Sequence, residues 1–183
     1  MQKEIETRFL EVDKKALVKK LLKLGGVDKG EEKIDEVIFV AADGSWLGKR
    51  KFVRLRKVGE RVELTYKTNV AQQIDSAREI EFGVADFDRC SEFLQQVGLS
   101  RNRENEKLRH TLQLGEVTID IDTWPKIPPY AEFEGPSVEA LQDVCEKLGL
   151  DWEKRFDRDA AEIYKHYGHD IFKLTKVTFT EFE

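Results

Sequence analysis

The sequence predicts an α+β protein built on an eight-stranded antiparallel β-barrel, with helices packed outside and a helical segment at the C-terminus. Three observations carry this. Segment after segment alternates with a period of two, the spacing of a strand whose successive side chains point to opposite faces. Between the strands lie stretches with leucines at helical spacing, each opened by an aspartate and closed by glycine. Tight-turn glycines at Gly59 and Gly115 join strand to strand as hairpins do.

The elements follow in order. Residues 3–12 alternate, with Ile5, Thr7 and Phe9 on one face and Glu4, Glu6 and Arg8 on the other. Asp13 is placed to cap a helix carrying Ala16, Leu17, Leu21 and Leu24 and stopped by Gly25-Gly26. Strands are expected near 31–40, 52–58 and 61–68, with 41–50 a loop containing Asp43-Gly44 and Gly48. The opening motif then returns: Lys3-Glu4-Ile5-Glu6, Asp13 and Gly25 are echoed by Arg78-Glu79-Ile80-Glu81, Asp86 and Gly98, the pattern of a diverged internal duplication. Further strands near 103–113, 116–123 and 130–135 complete the eight. Beyond Pro136 the pattern turns helical, with Val138, Leu141, Val144, Cys145 and Leu148 on one stripe and a second helix near 157–167. The tail 171–183 is ambiguous: Val177 and Phe179 alternate with threonines as in a strand, but Glu181 and Phe182 break the phase. The whole is expected to form one domain over residues 1–183, with the barrel at about 3–135 and the extension at about 137–183.

Composition narrows the function classes. The chain has 183 residues, and its 37% charged fraction accompanies 40% hydrophobic and 10% aromatic residues, so the charges belong to a folded chain. A net charge of -5 and a pI near 5.4 exclude a general basic coat for a nucleic-acid polymer, so any polyanion has to be met by a local basic site. Cys90 and Cys145, without CxxC spacing, read as reduced thiols in helices. Strand-like sequence from Lys3 leaves no room for a signal peptide, and the longest apolar run, Val37 to Ala42, is too short to span a bilayer. A soluble, cytoplasmic protein without a membrane partner is expected.

The charges on the alternate faces are sorted by sign. Acidic pairs two apart occur at Glu4/Glu6, Glu79/Glu81, Asp120/Asp122 and Glu132/Glu134, and basic pairs at Arg54/Arg56 and Lys107/Arg109, with Arg8 and Lys67 as single cations. Apolar residues such as Ile5, Leu55, Ile80, Leu108, Ile121 and Phe133 face the other way, towards the packed helices. Closing the barrel gathers the charged faces inside, where charges persist only when paired or liganded. Arginine and lysine suit phosphate oxygens, and carboxylates suit Mg²⁺ or Mn²⁺. The joint requirement is a metal-bound polyphosphate.

The N-terminal Glu4-Ile5-Glu6-Thr7-Arg8 is similar to the ExExK signature of the CYTH superfamily, the triphosphate tunnel metalloenzymes, which include class IV adenylyl cyclases, thiamine triphosphatases and inorganic triphosphatases. The resemblance continues through Arg54-Leu55-Arg56, Glu63 to Lys67, Arg78 to Glu81, Lys107 to Arg109, Ile121 to Thr123 and Tyr130 to Gly135. It implies that Glu4, Glu6, Asp122, Glu132 and Glu134 hold divalent metal, that Arg54, Arg56, Lys67, Lys107 and Arg109 grip a small-molecule triphosphate together with Arg8, and that Glu63, Glu79, Glu81 and Asp120 form a supporting acidic wall. Asp120 shares the face of Asp122, and spacing to Glu132 favours the latter as ligand. Glu4, Glu6 and Arg8 would form the catalytic centre. The departure is Arg8, where the family usually has lysine; arginine stays protonated, which favours phosphate binding or carboxylate positioning over a base role.

What the resemblance implies for activity is hydrolysis of a phosphoanhydride in inorganic or nucleoside triphosphate. The alternatives are a class IV cyclase making cAMP and pyrophosphate from ATP, and a non-catalytic polyphosphate or nucleotide binder. His110 is expected on the outer face, Trp124 with Pro125, Pro128 and Pro129 in a rigid turn, Trp152 in the core, and Trp46 as either a lid or a surface aromatic. Lys49-Arg50-Lys51 reads as a solvated charge run or an anion-steering patch. The C-terminal helices are expected to plug one mouth of the barrel or to form a homodimer contact.

Overall fold

Alternation does set the strands, and their pairing closes the sheet. The computed structural model describes residues 2–69 and 77–183. The N-terminal strand is split into β1 (Gln2–Lys3) and β2 (Glu6–Phe9), followed by α1 (Lys14–Lys23). Then come β3 (Val27–Ala41), β4 (Lys51–Val58), β5 (Arg61–Asn69), β6 (Ala77–Val84) and α2 (Phe87–Gln96). Next are β7 (Leu99–Leu114), β8 (Val117–Thr123), β9 (Tyr130–Glu134) and α3 (Val138–Lys147). Finally come α4 (Ala160–His166) and the short β10 (Lys176–Val177).

The strand order is β1-β6-β5-β4-β3-β7-β8-β9-β2. Because β1 and β2 are halves of one strand, its first half pairs β6 and its second half pairs β9, which curls eight antiparallel strands into a barrel. A closed sheet leaves no exposed edge between these strands. β3 begins four residues earlier than its hydrophobic pattern indicates, because Val27 to Gly30 pair with the far end of β7 around a register shift between Asp28 and Gly30. Such polar residues carry no period that marks a strand.

The two βα units of the proposed duplication share their caps. The Asp13 side chain accepts a hydrogen bond from Ala16 N at 3.0 Å, and that of Asp86 accepts one from Arg89 N at 2.9 Å. Each unit ends on a glycine at positive φ, Gly25 at 86° and Gly98 at 91°, a conformation that a β-carbon disfavours. Leu17 and Leu21 of α1 and Leu141, Val144 and Cys145 of α3 pack with Ile119, Ile121 and Phe133 on the outer barrel face. Leu94 of α2 packs with Val37, Phe39, Val53 and Leu55. Helices do not cover the whole outer wall, however. Ile80, expected to face a helix, is 47% exposed, and Phe82 beside it 54%, because α2 packs over β4 and β7 and leaves β6 bare.

The extension after Pro136 is stitched to the barrel. Phe156 N donates to Arg8 O at 2.7 Å, and Thr7 Oγ1 donates to Asp157 Oδ1 at 2.5 Å. Tyr164, fully buried, donates from its hydroxyl to Pro125 O at 2.8 Å, and Phe182 of the tail stacks on its ring. The tail resolves into both periods at once: a single helical turn at Ile171–Lys173, then β10 running parallel to β7. Cys90 and Cys145 are free thiols in α2 and α3. No helix among the described residues is long and apolar enough to cross a membrane.

Phe133 is fully buried and meets Phe9 edge-on with ring centroids 5.5 Å apart. Phe133→Ala is expected to lower unfolding free energy by about 3–5 kcal/mol, read as a shift in the urea midpoint with an unchanged slope.

Candidate active site

Residues directly opposite on antiparallel strands point to the same side, so the register decides which charges meet. Across the barrel wall Arg54 faces Thr65 and Arg56 faces Glu63. Thr65 faces Glu81, and Lys67 faces Glu79. Arg109 faces Asp122, Asp120 faces Glu132, Glu132 faces Arg8, and Glu134 faces Glu6. The charges sorted by sign in the sequence therefore form one interior belt around a cavity of about 570 Å³. Glu4, Glu6, Arg8, Arg54, Arg56, Lys67, Glu79, Glu81, Lys107, Arg109, Asp120, Glu132 and Glu134 all contribute to its wall.

Two of the predicted residues stand behind this wall. Asp122 is fully buried, and both of its oxygens are taken, by Arg109 Nε at 2.7 Å on one and by Lys107 Nζ at 3.0 Å and Arg109 Nη2 at 2.7 Å on the other. It holds two cations in place, whereas Asp120 reaches the cavity and engages Arg109 Nη1 at 2.6 Å and the Thr111 hydroxyl at 2.5 Å. Glu63 accepts from Arg56 Nε at 2.6 Å and fixes that guanidinium from outside the cavity lining.

The carboxylates divide electrostatically. Burial disfavours charge on Glu132 and Asp122, yet Arg8 and Arg109 around the first, and Arg109 and Lys107 around the second, hold both below the ordinary carboxylate range. Glu4 and Glu134 behave oppositely. Burial pushes Glu4 up to about 7, with Lys67 opposing and Glu6 and Glu79 adding to the rise. Burial also pushes Glu134 up to about 7, reinforced by Glu132, Glu4 and Glu6. Lys67 Nζ lies 2.7 Å from Glu4 Oε2 and 3.9 Å from Glu6. The first contact is close enough for an ion pair but lacks hydrogen-bond alignment, leaving that buried oxygen without a hydrogen bond. Among the described residues, Lys67 and Arg8 thus face an excess of carboxylates at the meeting of the N-terminal strand and β9.

Arg8 is buried with its guanidinium 2.9 Å from Glu6 and 2.5 Å from Glu132, and it donates to the Arg158 carbonyl at 3.0 Å. Burial opposes its charge, but Glu132 and Glu6 raise its pKa well above the ordinary value, so it is a fixed cation and no base.

Among the described residues no three His, Cys, Asp or Glu side chains form a ready metal cage. The donor set still fits a hard divalent ion, because Mg²⁺ is commonly held by one or two carboxylates with substrate phosphates and water completing the shell. Glu4, Glu6 and Glu134 supply oxygen donors where, among the described residues, carboxylates outnumber the neighbouring cations Lys67 and Arg8.

Sequence reasoning missed several cavity residues. Glu36 is buried and accepts from Asn105 Nδ2 at 2.7 Å; Asn105 Oδ1 accepts from Arg103 Nε at 2.8 Å; and Arg103 Nη1 donates to the Ile171 carbonyl at 2.8 Å. Burial opposes the charge on Glu36, but Arg54, Lys107, the Asn105 bond and Arg56 hold its pKa below the ordinary value. Its neighbours Ile34, Val37, Ile38 and Phe39 are apolar on both faces, which hid the phase. Extending the Lys107/Arg109 alternation backwards would have reached Asn105 and Arg103. Trp124 is buried on the cavity wall beneath the Lys107 ammonium, 5.1 Å from its ring centroid. Trp46 also lines the cavity, edge-on to Tyr66. Arg50 is half-buried and paired and not part of a free charge run: it pairs with Asp159 and Glu162 and pins the start of α4 at the cavity, where Asp159, Ala160, Ala161, Ile171 and Phe172 form part of the wall. His110 lies outside, 2.8 Å from Asp28.

A closed antiparallel barrel lined by opposed cations and carboxylates defines a tunnel protein for an anionic ligand. Residues 2–158 match the CYTH domain, and the chain belongs to that family. No curated protein sequence matches. Among solved structures, the PH1012 protein from Pyrococcus horikoshii OT3 is 24% identical, with a TM-score of 0.74 over 87% of this chain and 98% of that one. A protein named as a candidate adenylate cyclase from Vibrio parahaemolyticus is 16% identical, with a TM-score of 0.76 over 90% and 98%. A candidate adenylyl cyclase from Hippeastrum, whose description gives it a dominant triphosphatase activity, is 14% identical with a TM-score of 0.62 over 92% and 96%. These likenesses show the fold.

The raised carboxyls make stability depend on pH. For Glu4 and Glu134 the folded value of about 7 exceeds the ordinary 4.5, so their contribution is complete below the ordinary value and is lost as pH rises through about 7. Without divalent ions, thermal melts are expected to fall by a few degrees from about pH 5.5 to about pH 8. Glu134→Gln should flatten the fall, and Mg²⁺ should raise Tm more at the higher pH. A wild-type profile that is flat over this window would refute the carboxylate excess.

Proposed function

We propose that the protein is a divalent-metal-dependent phosphohydrolase that cleaves a phosphoanhydride bond of a triphosphate compound, with Mg²⁺ or Mn²⁺ as the metal. One observation carries the reading. A single cavity sets Arg54, Arg56, Lys67, Lys107 and Arg109 against a carboxylate cluster, Glu4, Glu6 and Glu134, that is short of positive charge. Cations alone would suit any anion, and carboxylates alone any cation. Their opposition suits a polyanion that arrives with a metal.

The chain's own groups divide the work. Arg54 and Arg56 are held by Glu81, at 3.4 and 3.3 Å, while Thr65 donates to Glu81 at 2.7 Å, so both guanidinia meet the phosphates already oriented. Arg109 and Lys107, braced by Asp122, neutralise the charge that builds on the phosphoryl oxygens in the transition state. Arg8 orients Glu6 and Glu132 and stays charged throughout, so the proton of the attacking water passes to a carboxylate. A divalent ion bound by Glu4, Glu6 and Glu134 would supply Lewis-acid polarisation of the phosphate oxygens. The dominant triphosphatase activity of the Hippeastrum protein gives hydrolysis a precedent on this fold.

Incubation with inorganic triphosphate or ATP and Mg²⁺ or Mn²⁺ is expected to release orthophosphate; cAMP with pyrophosphate would show a cyclase, and binding without turnover a sensor. Glu6→Gln should lower kcat by about 100-fold or more, and full activity in that variant would sink the tunnel assignment. Arg8→Lys should leave most of the rate if position 8 acts only through its charge.

A further inference from the structure

Inside the cationic wall sits an anion that phosphate binding does not call for. Glu36 is 6% exposed and faces the cavity between residues that attract phosphate. On β3 it stands opposite Arg56 of β4 and Asn105 of β7. Its two oxygens are treated differently. Oε1 is fixed by Asn105, which Arg103 steadies from the carbonyl of Ile171, so the carboxylate is held by three residues in series. Oε2 is buried and has no hydrogen bond. A carboxylate that stays charged can only accept, so this oxygen is an unmet acceptor on a residue that lines the ligand space. Phosphate oxygens are acceptors too and would be repelled by it. Arg54, Lys107 and Arg56 already surround it and disfavour a further cation, so its complement is an O–H or N–H.

The location fixes which donor. Arg54, Lys107 and Arg56 dominate the field at Glu36, so the donor has to lie close to the phosphates and not at a distant end of the ligand. In a nucleoside triphosphate the groups that meet this condition are the sugar hydroxyls, and a buried carboxylate is a common partner for a ribose hydroxyl. The cavity continues past this point along Ile38, Val40, Trp46 and Phe52, an apolar and aromatic stretch that inorganic triphosphate has no use for. We propose that Glu36 is a specificity-determining residue that accepts a hydrogen bond from a sugar hydroxyl, so that the ligand of this tunnel is a nucleoside triphosphate in preference to inorganic triphosphate. This rests on the triphosphate-site reading given above.

Calorimetric titration of the intact protein in Mg²⁺ with ATP, 2′,3′-dideoxy-ATP and inorganic triphosphate tests it. Wild-type protein is expected to bind ATP about tenfold more tightly than the dideoxy compound. In Glu36→Gln that preference should vanish. The same variant should bind inorganic triphosphate at least as well as the wild type, since a negative charge beside the phosphates is gone; a structural role would weaken all three ligands together. Equal wild-type affinity for ATP and its dideoxy analogue would overturn the assignment and leave the triphosphate site standing, and this comparison needs no variant should Glu36→Gln fail to fold. A preference for ATP that survives in Glu36→Gln, or a uniform loss, would overturn it as well. If the wild type binds none of the three, the triphosphate reading itself falls.

Discussion

The fold depends on turning charge inward without leaving it unpaired. A barrel whose strands present arginines, lysines, aspartates and glutamates to its own interior would be unstable if the register let like charges meet throughout. The observed register pairs Arg109 with Asp122, Arg8 with Glu132 and Arg56 with Glu63 directly across neighbouring strands. Closure and neutralisation are one event, because the belt is complete only when the N-terminal strand divides between β6 and β9. The place where that strand divides is also where neutralisation fails. Among the described residues, Glu4, Glu6 and Glu134 meet there with Lys67 beside Glu4 and Arg8 beside Glu6, so carboxylates outnumber cations and a ligand has room to supply the missing charge.

Positioning comes from outside the belt as well. Asp122, Glu63 and Asn105 do not grip a phosphate; they hold the groups beside them at fixed angles. The C-terminal extension contributes in the same way. Its Phe156–Arg158 stretch binds the backbone and side chain of Arg8, and Arg50 ties the first turn of α4 to the loop before β4. A segment that looks like an appendage thus supplies part of the cavity wall and a brace for the N-terminal motif.

Much of this was legible in the residues. Period-two sorting of charge identified the inner faces of the N-terminal strand, β4, β7, β8 and β9, and the Asp13 and Asp86 caps with Gly25 and Gly98 marked both helices. Glu36 escaped because apolar neighbours on both sides erase the alternation. Spacing to Glu132 favoured Asp122 over Asp120 as ligand, but two residues on one face differ in how the barrel places each, and Asp122 falls behind the arginine it anchors while Asp120 lines the cavity. Ile80 was expected beneath a helix, yet no periodicity says which part of a curved outer wall a ten-residue helix will cover.

The sequence by itself determined the kind of wall: strands, their inner faces, the signs of their charges and hence the class of ligand. Side-chain alternation is a local property, and each strand declares it alone. Only the tertiary structure decided which charges are spent on one another and which are left for a ligand. That depends on register and closure, which bring Glu6 opposite Glu134, set Glu36 beside Arg56 and Asn105, and carry the C-terminal chain back to Arg8. Glu4-Ile5-Glu6-Thr7-Arg8 announces a charged strand, and its meeting with β6, β9 and the residues around Phe156 makes that strand one side of a site.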